Sequence, residues 1–251
     1  MCKLKRLLYL VTFFLLVPQA AFSENDKAPL VDRRKALFYP LGQRGQKALF
    51  TQDIQIRWLD DKNADFSSIA KDTSGAVALT EEAQLREGRL KRHIVVQEQI
   101  NEKYQVEVIG SEALFKTFKK DENGSYKLIS ERTTKLDSIL FSGPAVEVYL
   151  RDSHQELIKR QKTQIQFAVF ELERPIQFKM SSTGFNQEAQ KLNAQMKIDN
   201  FLFSLFLDPI DLEFDLSTKK IIYYKGRTPL RIKENNKWKP WDAEIDYSPA
   251  S

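Results

Sequence analysis

Residues 192–227 read LNAQMKIDNFLFSLFLDPIDLEFDLSTKKIIYYKGR and hold the clearest two-residue period in the chain. Leu192, Ala194, Met196 and Ile198 alternate with Asn193, Gln195 and Lys197, and Ile210, Leu212, Phe214 and Leu216 alternate with Asp211, Glu213 and Asp215. Side chains of a strand point to opposite faces in turn, so each run predicts a strand with one apolar and one solvated face. Ser217–Lys220 turns the chain into a further strand, Ile221–Lys225. Between the first two strands, Asp199-Asn200 caps a short apolar helical turn over Phe201–Leu207, and Pro209 forbids its continuation.

The same alternation recurs on both sides of this stretch. Ile54, Ile56 and Trp58 mark a strand within Leu49–Leu59, and Tyr104, Val106 and Val108 mark another. Asn123-Gly124 is a hairpin turn between strands Ala113–Lys119 and Tyr126–Thr134, because both residues tolerate positive φ. Ile165, Phe167 and Val169 form a strand; Ile176, Phe178 and Met180 form the next, after Pro175. Trp241, Ala243, Ile245 and Tyr247 share a face of the last. Val146, Leu150, Leu157 and Ile158 fall on one helical stripe, which predicts a helix over Pro144–Gln161, although Val146, Val148 and Leu150 also fit a strand. A short helix is expected from Thr80 to Gly88, and the polar stretch Asp60–Gly75 reads as loop. The expected fold is α+β and mostly β: a curved antiparallel sheet, an incomplete half-open barrel, covered by one main helix and the apolar turn.

The first 23 residues set the expected location. Lys3, Lys5 and Arg6 precede an apolar run of 11 residues, Leu7–Val17, and Ala21-Phe22-Ser23 offers small residues at a cleavage site. The run is short of the roughly 20 residues that cross a bilayer, so it reads as a secretory signal peptide rather than an anchor. The mature chain is expected in the periplasm or outside the cell, with no transmembrane segment. Residues 24–48 read as an extended lead-in and 49–251 as one β-rich domain. Cleavage leaves 36 Lys and Arg against 34 Asp and Glu, a balance that does not call for a nucleic-acid partner. It also removes Cys2, the sole cysteine, so disulfides and thiolate metal sites are excluded.

Catalytic signatures are absent. His93 and His154 are isolated in sequence, with no second histidine at i+2 or i+4, and no nucleophile-elbow, zincin or phosphate-loop pattern appears. Asp208, Asp211, Glu213 and Asp215 resemble a cation-binding run but lack the glycine and closing glutamate of an EF-hand, so they read as a solvated strand face. Lys225, Arg227, Arg231, Lys233, Lys237 and Lys239 stand among Tyr223, Tyr224, Trp238 and Trp241, a composition suited to anionic lipid headgroups or single-stranded nucleic acid. Nearby Asp and Glu dilute it, and secretion argues against nucleic acid. No catalytic residue, metal ligand or cofactor is assigned.

The pieces GPAVEVYLRDSHQELIKRQKTQIQFAVFELERPIQFKM (143–180), FLFSLFLDPIDLEFDLSTKKIIYYKGR (201–227) and AEIDYSP (243–249) resemble a group of uncharacterised secreted proteobacterial proteins. More remotely, the signal, sheet and covering helix resemble Lol-type lipoprotein carriers and related periplasmic lipid binders. That resemblance implies an incomplete barrel closed by helices over an apolar cavity, with no binding residue carried over. The residues expected to wall or lid such a cavity are Phe167, Phe178, Phe201, Phe203, Phe206 and Phe214. The leading expectation is a non-enzymatic carrier or binder of a lipid or other apolar ligand. A cell-envelope scaffold that binds a protein partner is the alternative. A third reading, a hydrolase, requires His93 or His154 to meet a carboxylate and a hydroxyl in space.

Overall fold

The computed structural model describes residues 29–159, 162–199 and 208–249. Its first half is an up-and-down antiparallel meander: β1 (Leu30–Pro40), β2 (Phe50–Trp58), β3 (Ala64–Asp72), β4 (Val77–Arg86), β5 (Arg89–Gln97), β6 (Glu102–Ile109), β7 (Glu112–Lys120) and β8 (Tyr126–Lys135). The short β9 (Leu140–Phe141) leads into α1 (Gly143–Ile158). A second meander follows: β10 (Thr163–Val169), β11 (Arg174–Asn186), β12 (Lys191–Ile198), β13 (Ile210–Asp215), β14 (Lys220–Glu234) and β15 (Lys237–Pro249). The two meanders join through their outer strands, because β1 pairs with β15 from Arg34↔Pro249 to Pro40↔Ala243. The result is one sheet of fifteen strands with β8 and β9 at its edges, not closed into a barrel.

This is the mostly β, curved antiparallel sheet with one main helix that the alternation predicts. In β2 the period is unbroken: Phe50, Gln52, Ile54, Ile56 and Trp58 are buried while every residue between them is exposed. The helix stripe also holds, with Pro144 in the first turn and Ala145, Val146, Val148, Leu150 and Leu157 buried.

Three local expectations are corrected. Thr80–Gly88 is not a helix: Val77–Arg86 is β4, paired on both sides. Asp60–Gly75 is not all loop, since Ala64–Asp72 is β3. The lead-in contains β1, whose alternation is masked in the sequence by Asp32 and Arg34 on its inner face. In each case ladder pairing and burial among neighbours outweigh local composition. The apolar turn expected at Phe201–Leu207 lies outside the described residues.

The sheet rolls until its second half meets its first. The turn after β10, a 3-10 helix at Phe170–Leu172, tucks beneath β5 to β8. There Phe170 meets the His93 ring edge at 5.2 Å, and Glu173 accepts hydrogen bonds from Thr117 (2.5 Å) and Ser130 (2.7 Å). Where β14 passes between β13 and β15, only glycine fits. Gly226 has φ of 146°, and a Cβ there would lie 2.9 Å from Ile210 Cγ1 and 3.3 Å from Ile210 Cα.

Candidate functional site

The concave face of the roll differs along its length. On β10 to β13 the register aligns Ile165 with Phe178, Phe167 with Ile176, Met180 with Met196, and Phe185 with Leu192, which in turn aligns with Phe214. Every one of these is apolar. Phe167 and Phe178 meet edge to face at 5.8 Å between centroids. Phe214 is fully buried, with the His154 ring 6.4 Å away. Of the six aromatic residues singled out in the sequence, the structure therefore places Phe167, Phe178 and Phe214 on one face. Phe201, Phe203 and Phe206 lie outside the described residues.

At one end of this face there is an opening. The β11 strand bulges between Ser182 and Gly184, and the C-terminal end of α1 brings Ile158 opposite the bulge. Ile158, Ser182, Thr183, Gly184 and Phe185 line a hollow of about 550 Å³. Ser182 and Phe185 share the concave face with Ala194 and Leu192, so the opening has an apolar side at Ile158, Phe185 and Leu192 and a polar side at Ser182 and Thr183. A hollow of this size falls in the range of small-molecule sites.

The helix that forms one wall is tied down by buried charge. Glu147 receives two bonds from Arg34, at 2.5 and 2.9 Å, one from Arg151 at 3.2 Å and one from the Ile221 backbone N–H at 3.0 Å. Asp32 holds the other side of Arg34 at 2.5 and 2.9 Å and is bound by Lys220 at 2.9 Å. Arg151 lies 3.9 Å over the Trp58 ring and donates to the Lys219 carbonyl. Burial by itself would raise the Asp32 carboxyl, but bonds from Arg34 and Lys220 hold it below the usual carboxylate range. Burial works against the Arg34 charge as well, and its two carboxylates more than offset it. Arg34, Glu147 and Asp32 went unmarked in the sequence because 188 residues separate the ends of the network, Asp32 and Lys220.

On β2 to β5 the same inner face carries a polar cluster among buried apolar residues such as Phe50, Ile54, Ile56, Leu79 and Val95. Gln52 donates to Ser68 (2.7 Å) and to Glu81 (3.0 Å), Ser68 donates to Glu81 (3.1 Å), and His93 Nε2 lies 3.5 Å from Glu81. Serine, glutamate and histidine thus come together, but in the wrong order for acyl transfer. The hydroxyl is bonded to the carboxylate, whereas nucleophilic activation needs it bonded to the imidazole. His93 is 2 % exposed and neither ring nitrogen has a hydrogen-bond partner. His154 contacts the Arg151 carbonyl and Gln155 rather than a carboxylate.

The remaining clusters are absorbed by local structure. Asp211 accepts from Gln195 at 2.6 Å, and Asp215 caps the β13–β14 turn through Ser217 and the Thr218 N–H. Among the described residues no group of three or more His, Cys, Asp or Glu is close enough to hold a metal. No described helix is long and apolar enough to cross a membrane. Of the late basic residues, Arg227 pairs with Asp242, Arg231 with Glu171 and Lys239 with Glu234.

Fold and site together define a rolled, open-edged β-sheet protein with a helix plugging its concave side. No family model matches the chain, and no curated protein does. Among solved structures it is similar to a beta-barrel-like protein of domain of unknown function DUF1849 from Brucella abortus. The TM-score is 0.36 at 8 % identity, over 89 % of this chain and 98 % of that one. It is also similar to a porin-like protein from Bacteroides uniformis, with a TM-score of 0.20 at 8 % identity over 87 % and 96 % of the two chains. At these scores neither likeness bears on what the site does.

Proposed function

We propose that the protein is a non-enzymatic protein of the cell envelope, exported by its N-terminal signal, that holds one apolar chain of a lipid or similar amphiphile. The observation that carries this reading is the opening between Ile158 and the β11 bulge, set over the apolar face of β10 to β13. Met180 and Met196 lie side by side across that face, and thioether side chains re-pack easily around a chain of variable shape. An acyl chain gains about 0.8 kcal/mol per buried methylene, so even partial insertion gives useful affinity. The remote likeness to Lol-type carriers accords with this.

Lipid extraction and native mass spectrometry of protein purified from its own host test the proposal. A copurifying amphiphile supports it. Ser182→Trp, which fills the mouth, should then weaken binding of a fluorescent fatty acid about tenfold or more while thermal unfolding is unchanged. Absence of any ligand, together with equal fatty-acid affinity of wild type and variant, would discard it.

A second reading, a partner protein added as a strand, is favoured by β8. Among the described residues this edge strand pairs only with β7, and Leu128 and Ile129 are 50 % and 60 % exposed on it. Envelope crosslinking from position 129 that recovers one partner without lipid would favour this reading over the first.

A further inference from the structure

The β14–β15 hairpin outruns its neighbours. Strand β13 pairs with β14 only as far as Lys225, and β1 pairs with β15 only as far as Ala243. Beyond those points the two strands pair only with each other, to Glu234↔Lys237. The arm is nevertheless fixed at its root. Its register shifts between Thr228 and Arg231, Leu230 is fully buried, and Trp241 packs on Phe50 at 5.5 Å. From the β5 end and the turn after it, Gln97 donates to the Pro229 carbonyl (2.6 Å), and Gln99 exchanges two bonds with the Arg231 backbone, at 2.7 and 2.9 Å. The arm therefore cannot swing.

Its tip is the opposite in character. All eight residues from Lys233 to Pro240 are exposed, around a two-residue turn in which Asn235 and Asn236 both have positive φ. Trp238 is 40 % exposed there, with Lys233 directly across the ladder and its Nζ 5.8 Å from the ring. The single acidic side chain of the tip, Glu234, is occupied by Lys239 at 2.7 Å. Among the described residues, Lys233 and Lys237 pair with no carboxylate. The β1–β2 loop at the arm's base adds Leu41, 44 % exposed, and Lys47.

An indole raised on a rigid stalk and ringed by unpaired ammonium groups matches a membrane interface. The ring sits at headgroup level while the cations face anionic phosphates. We propose that the 233–240 tip docks the protein on an anionic lipid surface. This does not rest on the apolar-ligand reading, because the tip and the Ile158–Phe185 mouth lie at opposite ends of the roll. A docked molecule faces its mouth to the aqueous phase, so the tip is a tether and not an unloading port.

Vesicle flotation with the full chain tests this, using phosphatidylcholine alone and phosphatidylcholine mixed with phosphatidylglycerol. Each lysine near the surface contributes about fivefold, so Lys233 and Lys237 together give a preference of roughly twenty-five-fold for the anionic vesicles. Binding should weaken with salt and shift tryptophan emission to the blue, a shift carried by Trp238 because Trp58 and Trp241 are buried. Trp238→Ala should abolish the shift, and Lys233→Glu with Lys237→Glu should abolish flotation, with circular dichroism and thermal unfolding unchanged. Equal binding to both vesicle types, no binding to either, or unaltered flotation of the variants would overturn the proposal. So would loss of an envelope protein crosslink, and not of vesicle binding, in the tip variants. A chain that floats but carries no amphiphile, or the reverse, separates this result from the apolar-ligand reading.

Discussion

The inner face of β2–β5 and the inner face of β10–β13 are made by the same alternation, and only the first carries a polar cluster within its apolar lining. The first buries Gln52, Ser68 and His93, with Glu81 half-buried beside them, among its apolar neighbours, and the second buries methionine, phenylalanine and aliphatic residues only. Gln52, Ser68 and Glu81 are bonded to one another in one geometry, so this part of the first face is fixed in shape. An apolar face loses little when its side chains shift rotamer, so the second can accommodate a guest. The helix α1 lies against the adaptable face and is fastened to the rest by Glu147 and its partners. What the contrast teaches is where variability is tolerated.

The largest break in this contrast comes from the fastening. Glu147→Leu leaves Arg34 buried without its principal partner and should cost about 3–5 kcal/mol of stability by urea unfolding. Restoring an apolar pair with Arg34→Met in the same chain should recover most of it. If the single substitution is near neutral, the ion cluster is not what holds the helix.

Next in size is Gly226→Ala, which sets a Cβ against the Ile210 backbone in a left-handed conformation and should cost about 1–3 kcal/mol. An unchanged urea midpoint would show that β13 moves freely, and the adaptable half would then include its boundary with β15.

In the polar half, Ser68→Ala removes one of two donors to Glu81 and should cost about 0.5–1.5 kcal/mol. A loss that small, beside a larger one for Met196→Ala, about 2–5 kcal/mol, would mean that the β10–β13 face is packed core. If instead Met196→Ala is nearly neutral, that face is not fully committed to the fold.

Acid should loosen the two halves unequally. The folded pKa of Asp32 is lowered, so its contribution to stability is complete above the ordinary aspartate range and is lost as pH falls through the depressed value. Asp32→Asn should therefore flatten the acid limb of a stability-against-pH curve below about pH 4. The same limb in the variant and the wild type would remove Asp32 from the account.

Strand positions such as β2 and β12 and the α1 stripe were legible in the sequence because a single period specifies each. Phe167, Phe178 and Phe214 were legible as inward residues on the same ground. The Asn123-Gly124 hairpin was legible as a turn but not in its geometry, since only Gly124 has positive φ in the loop from Asp121 to Ser125. The strand β1 was not legible, because Arg34 and Asp32 occupy inner positions and are stabilised only by Glu147 and Lys220 far along the chain. Nor was β4, where Thr80-Glu81-Glu82 has the composition of a helix start, and Glu81 finds Gln52 and Ser68 only across the sheet.

By itself, the sequence determined the class of the fold, the position of most strands and the main helix, since local periodicity decides which face of each element is apolar. Only the tertiary structure decided that β1 closes on β15, that the sheet rolls far enough for Phe170 to reach His93, and that Gln52, Ser68, Glu81 and His93 gather in the first half. Those outcomes depend on contacts between residues far apart in the chain. Such contacts are set by the accumulated twist of fifteen strands and by buried charges satisfied in pairs, and no short stretch of sequence carries either.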